Sequence, residues 1–227
     1  MKAKHLASIS LLCATVLASG TATAHEAGDI LVRLGPAWVL PNDDSSAIRS
    51  SDGTIAVPGS PVEVDNGVSL GLTVAYMVTD QIGIELLGAT PFKHDLQGTG
   101  ALGALGRIGS VKHLPPTVSV QYHFMPQAQF QPFVGLGLNY TTFFDEDVTS
   151  SLESALGHTS LKLDDSWGLA AQAGVDVMFD SGWFLNAAAW YIDIDTEATL
   201  DTADAGRLNL DVDIDPWVFM VGAGFKF

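Results

Sequence analysis

Val68-Ser69-Leu70-Gly71-Leu72-Thr73-Val74-Ala75-Tyr76-Met77-Val78 alternates a large apolar residue with a small or polar one at nearly every step. A period of two is that of an extended strand, whose successive side chains leave opposite faces. One face is Val68, Leu70, Leu72, Val74, Tyr76 and Val78; the other is Ser69, Gly71, Thr73, Ala75 and Met77. A turn at Thr79-Asp80-Gln81 follows, and Ile82, Ile84, Leu86 and Phe92 then alternate with Gly83, Glu85, Leu87 and Lys93.

The pattern extends in both directions. Upstream, Ile30, Val32, Leu34, Pro36, Trp38 and Leu40 oppose Leu31, Arg33, Gly35, Ala37 and Val39. Downstream apolar faces run through Leu114, Val118, Val120, Tyr122 and Phe124, then Val134, Leu136, Leu138, Tyr140 and Phe144. Three more follow: Trp167 to Phe179, Trp183 to Tyr191, and Trp217 to Phe227. That makes about eight strands, each with roughly 9–11 residues of apolar face, the length that crosses a bilayer when tilted. Tight links near 79–81, 125–129 and 180–182 alternate with long ones near 41–65, 96–112, 145–163 and 198–206. Short turns at one end and long loops at the other are the asymmetry of an outer-membrane barrel. Aromatic residues gather at the ends of the faces, as interfacial girdles do: Trp38, Tyr76, Phe92, Tyr122, Phe124, Phe144, Trp167, Phe179, Trp183, Tyr191 and Trp217. A soluble β-sandwich also alternates; the length of the faces and their aromatic ends favour the membrane.

Composition agrees. Among 227 residues, 47% are apolar and 16% charged, yet no run downstream of the leader reaches the ~18–20 apolar residues of a transmembrane helix. Lys2 and Lys4, the apolar stretch Leu6 to Leu17, and Ala22-Thr23-Ala24 read as a secretion signal over residues 1–24, leaving 25–227 as the barrel and His25 as the first mature residue. Cys13, the one cysteine, lies in that leader, so the mature chain has no disulfide. Loss of Lys2 and Lys4 takes the net charge from −16 to −18, which excludes nucleic acid as a partner.

If the apolar faces meet lipid, the other faces line a lumen. Arg33, Glu85, Gln121, Gln172 and Asp176 all fall inward, about four residues from the short-turn ends of their strands. They would form one layer, with Arg33 pairing Glu85 or Asp176, either as a satisfied polar plug or as part of an ion pathway. Toward the long-loop end the parity reverses. Ile192-Asp193-Ile194-Asp195 and Leu208-Asn209-Leu210-Asp211-Val212-Asp213-Ile214-Asp215 put apolar residues on the inward parity and aspartates outward. That pattern predicts an apolar funnel of Ile192, Ile194, Leu208, Leu210, Val212 and Ile214, with Trp190, Val218 and Met220 deeper on the same lining. The competing explanation is a bulge at Asp215-Pro216 that flips the last strand. Pro91, Pro115 and Pro116 flank one long loop on neighbouring strands and remove ladder donors there. Either the wall opens sideways at that level, or the strands simply end.

Several stretches together resemble the OmpW family of outer-membrane proteins, which includes the alkane-uptake protein AlkL. They are Ala27-Gly28-Asp29-Ile30-Leu31-Val32-Arg33, Pro91-Phe92-Lys93-His94-Asp95 and Lys112-His113-Leu114-Pro115-Pro116-Thr117. Gln131-Pro132-Phe133-Val134-Gly135-Leu136-Gly137-Leu138-Asn139-Tyr140, Asp165-Ser166-Trp167-Gly168 and the terminal Gly224-Phe225-Lys226-Phe227 complete the set. The resemblance implies an eight-stranded antiparallel barrel with a hydrophobic channel, passive uptake of small apolar solutes and lateral release into the bilayer. It also implies that Phe227 is part of the signal read by the barrel-assembly machinery. The partners it implies are outer-membrane lipid, lipopolysaccharide and apolar solutes.

Other chemistry finds little footing. Ser119 and His123 share a face but stand roughly 13 Å apart along a strand, and no G-x-S-x-G is present. No cofactor pattern is legible. The six histidines are dispersed, with His94 and His113 near the outer rim. The aspartates from Asp193 to Asp215, like Asp145-Glu146-Asp147, suit solvated charge or a Ca²⁺ bridge to lipopolysaccharide. Ser151 to Gly157 suggests a helical turn.

Overall fold

In the computed structural model, which describes residues 24–54, 56–57, 62–179 and 181–227, eight antiparallel strands close into a barrel. They are β1 (Ile30–Leu40), β2 (Gly67–Met77), β3 (Ile82–Ala89), β4 (Thr117–His123), β5 (Phe130–Val148), β6 (Ser166–Met178), β7 (Trp183–Ile192) and β8 (Trp217–Lys226). Each pairs with its sequence neighbours, and β1 pairs with β8 from Leu31↔Lys226 to Leu40↔Trp217. Closure leaves no unpaired edge, the condition for a sheet to stand in lipid. The expected leader lies outside the described residues, Ala24 excepted.

Connections 78–81, 124–129 and 179–182 lie at one end, where Phe227 N also donates to Ile30 O. At the other end the strands continue as a taller wall. β5 itself runs on for 19 residues, flanked by Arg107–Leu114, which pairs with Phe92–Gly98. A second sheet joins Thr159–Leu163, Asp195–Thr202, Gly206–Asp213 and Ile48–Ser50. The short helix α1 (Ser150–Leu156), capped by the Thr149 hydroxyl accepting from Leu152 N, drops Leu152 and Leu156 inward.

The lower barrel carries its large apolar residues outside: Leu136, Leu138, Trp167 and Leu169 are all more than half exposed. Apolar surface this continuous marks contact with an apolar medium. Two aromatic girdles bound it. Tyr122–Phe124, Trp183–Phe225 and Phe225–Phe227 pack at the short-turn end; Tyr140–Trp167 and Tyr191–Trp217 pack at the other.

One expected outward residue turns in. Phe92 is 1% exposed and belongs to the interior rather than to a girdle, while Lys93 takes the outward place. The register between the third and fourth strands slips by one residue, from Leu87↔Thr117 to Phe92↔His113. Thr90-Pro91 absorbs the extra residue, since proline has no ladder donor to lose register against.

Candidate functional site

The lumen is stratified. At the short-turn end a small apolar cluster of Leu31, Ala75, Met77, Met178 and Phe184 fills the barrel. Above it, β1 aims Arg33 across the interior. Its Nε and Nη2 donate to Asp176 Oδ1 and Oδ2 at 3.1 and 2.7 Å, and Nη1 donates to Glu85 Oε2 at 2.9 Å. The two-pronged contact with Asp176 matches the fixed fork of a guanidinium. Phe133 and Phe184 present their rings 5.2 and 5.6 Å from its central carbon. Gln121 Nε2 donates to Gln172 Oε1 at 3.3 Å beside them. These two glutamines flank Gly135 on the intervening strand, where a Cβ would stand 2.7 Å from Gln172 Nε2. All five polar residues expected in the layer therefore meet there. Sequence reading missed Thr73, Asn186 and His123, whose inward parity was the available signal. Asn186 Nδ2 donates to Asp176 Oδ1 at 2.8 Å, and His123 Nε2 lies 3.2 Å from Gln121 Oε1. Paired and almost wholly buried, this layer interrupts any straight aqueous path.

Above the layer, apart from a buried hydrogen-bonded group of Thr117, Asn139 and Thr141, the interior is largely apolar. All nine funnel residues are buried in one continuous cluster. Leu208, Leu210, Val212 and Ile214 border a cavity of about 180 Å³; Trp190, Ile192, Ile194, Val218 and Met220 pack without bordering it. The even-numbered face stays inward from Leu208 to Met220 straight through Asp215-Pro216, so no bulge flips the last strand. Asp211 and Asp213 are exposed on the outer wall. Further lining comes from Ile48, Val62, Leu163 and Leu200, which period-two counting in the long connections would have revealed, and from Leu156 of α1, which it would not. Asp193, Asp195 and Asp215 bring carboxylate oxygens within 4.8 Å of one another. Asp215 is engaged locally, accepting from Tyr191 Oη and Ile194 N, and a surface acidic cluster of this kind assigns no ion.

The side wall is weakest at the prolines. The β3–β4 ladder ends at Leu87↔Thr117 and resumes at Phe92↔His113; the β2–β3 pairing runs to Thr90 N donating to Leu70 O and resumes with Asp65 N donating to Asp95 O. Pro91, Pro115 and Pro116 lie in these intervals. Directly above stand two histidines that sequence reading left at the rim without a role. His94 Nε2 and His113 Nε2 are 2.9 Å apart, and both rings are buried at the edge of the apolar cavity. Gly67 makes room for them: a Cβ there would stand 2.6 Å from His94 Cε1. Burial lowers both imidazoles below their ordinary range, His113 to about 3 with His94 beside it adding to the effect, so the pair is neutral.

A family model of the OmpW family matches residues 26–227. The chain belongs to the OmpW family. Within it, "Outer membrane protein W" of Vibrio cholerae is 49% identical over 93% of this chain and 94% of its own. The crystal structure of the outer membrane protein OprG from Pseudomonas aeruginosa superposes with a TM-score of 0.83 at 43% identity, covering 90% of this chain and 98% of that one. "Outer membrane protein AlkL" of Ectopseudomonas oleovorans is 28% identical over 76% of this chain and 71% of its own. This OmpW-family barrel is a protein of the bacterial outer membrane, and these relatives carry no enzymatic name.

Proposed function

We propose that this barrel carries small hydrophobic molecules passively across the outermost layer of the cell envelope. The observation that carries this reading is an apolar cavity closed below by packed apolar side chains and, deeper in the barrel, by a salt-bridged layer. A cavity of about 180 Å³ lined by aliphatic side chains is of the size and character that takes up a small apolar solute. For a solute that enters it from outside, the way down the axis is filled by Trp190, Val218 and Met220 and then by Arg33 and its partners, where leaving apolar surface for a charged layer costs free energy. The ladder intervals at Pro91, Pro115 and Pro116 offer the alternative, sideways into the bilayer, and downhill for an apolar molecule.

The test is uptake of an alkane or a fatty-acid methyl ester by cells with and without the protein, beside Leu210→Asp and Val212→Asp variants shown to reach the outer membrane. Faster uptake with the native protein, lost in both variants, is the expected result. Equal uptake by expressing and empty cells would leave a structural or adhesive barrel.

A further inference from the structure

The histidine pair has a polarity that its surroundings dictate. His94 Nδ1 lies 2.5 Å from the backbone oxygen of Asp65. A carbonyl oxygen only accepts, so His94 carries its proton on Nδ1 and, being neutral, offers a bare lone pair at Nε2. His113 Nε2, at 2.9 Å, must therefore be the donor to it. This leaves the lone pair on His113 Nδ1. That atom is buried and has no protein partner among the described residues, in a residue only 6% exposed that borders the cavity. Phe92 and Phe143 pack about the ring, with centroids 5.4 and 6.0 Å away, and fix its plane. One tautomer chain thus runs from a backbone carbonyl to one unpaired, buried acceptor on a residue that borders an otherwise aliphatic chamber. A buried acceptor left unpaired costs about 1–3 kcal/mol, which a ligand donor would recover.

We infer that His113 Nδ1 is a head-group receptor, and that the cavity prefers an apolar solute carrying one hydrogen-bond donor, an alcohol, over an alkane, an ether or a carboxylate. The hydroxyl donates to Nδ1 while the tail lies among Ile108, Val111, Phe143, Leu163, Leu210 and Val212. An ether of the same size can only accept, and meets another acceptor. A carboxylate meets a lone pair where it needs a proton. The inference rests on the proposed uptake of apolar molecules and narrows its substrate class. It also places the polar end of the solute directly above the proline intervals of the wall.

The experiment compares 1-octanol with its isomer methyl heptyl ether on the full-length mature barrel in lipid nanodiscs, native and His113→Phe. Binding is followed by displacement of a bound hydrophobic fluorophore, and the His113 ring by its ¹⁵N resonances. The native protein should bind the alcohol roughly 2–12-fold more tightly than the ether, the worth of one net hydrogen bond, with the bare-nitrogen resonance of His113 shifting for the alcohol only. His113→Phe also strips His94 Nε2 of its donor, so it is paired with the double variant His94→Phe/His113→Phe, in which the ratio should fall to about one. Equal native affinities with an unmoved resonance, or a preference that survives in the double variant, would overturn the head-group inference and leave uptake standing. Failure of both solutes to bind the native protein would sink the uptake reading and this one together. Should the variant fail to fold, the native ratio and resonance decide alone.

Discussion

The lower and upper parts of this barrel are built on the same strands with opposite dress. In β7, outward positions carry Trp183, Leu185 and Tyr191, and inward ones Asn186; a few residues further up the chain, Asp193 and Asp195 point out and Ile194 points in. The backbone period never changes. What changes is the medium outside the wall. Against water, burying apolar side chains in the lumen is favourable by about 25 cal/mol per Å². Against lipid that drive vanishes, and the interior is free to hold a charged layer provided every charge is paired.

The largest effect expected from breaking this contrast is at Arg33. Arg33→Met leaves Glu85 and Asp176 buried without their cation, and should cost about 3–5 kcal/mol in urea unfolding from lipid vesicles. Replacing all three with apolar residues of similar volume should restore most of it; a triple variant as unstable as the single one would show that the layer is not an isolated ion-pair network. Next comes a matched pair of outward arginines. Leu136→Arg, in the lipid belt, should destabilise by about 2–4 kcal/mol, whereas Asp211→Arg, outward on the upper wall, should change stability by no more than about 0.5 kcal/mol. Similar losses at both positions would mean that the upper wall also sits in lipid. The smallest effect is at Asp195, whose carboxyl is raised above its ordinary 3.8 by partial burial and by Asp193, Asp213 and Asp215 around it. A carboxyl raised on folding stabilises the folded state at low pH, and that contribution fades as pH rises through the folded value. Buried His94 and His113 lose stability over the same window, so the effect is read as a difference: as pH falls from neutral toward the carboxylate range, the melting temperature of the native protein should rise slightly relative to that of Asp195→Asn. A larger rise in the variant would reverse the assignment.

Much of this was legible in the residues. Alternation is local, so strand number, the inward parity of Arg33, Glu85 and Asp176, and the reversal at Asp193-Ile194-Asp195 could all be counted along the chain. Failures came where two strands must be set against each other. Phe92 was placed outside because a one-residue slip at Thr90-Pro91 has no local signature beyond the proline. His94 and His113 sit on different strands as diagonal neighbours, and their contact depends on that same slip. Nor could the sequence tell that Leu152 and Leu156 of a short loop helix would help close the chamber over Leu210.

The stratified lumen bears on how many copies a cell can carry. A water-filled pore adds ionic conductance with every molecule, and abundance is then limited by leak of nutrients and entry of charged toxins. A barrel stoppered by Arg33, Asp176 and Glu85 adds none through its axis. With its axis closed in this way, the area of outer membrane each copy occupies would replace leak as the limit on its number.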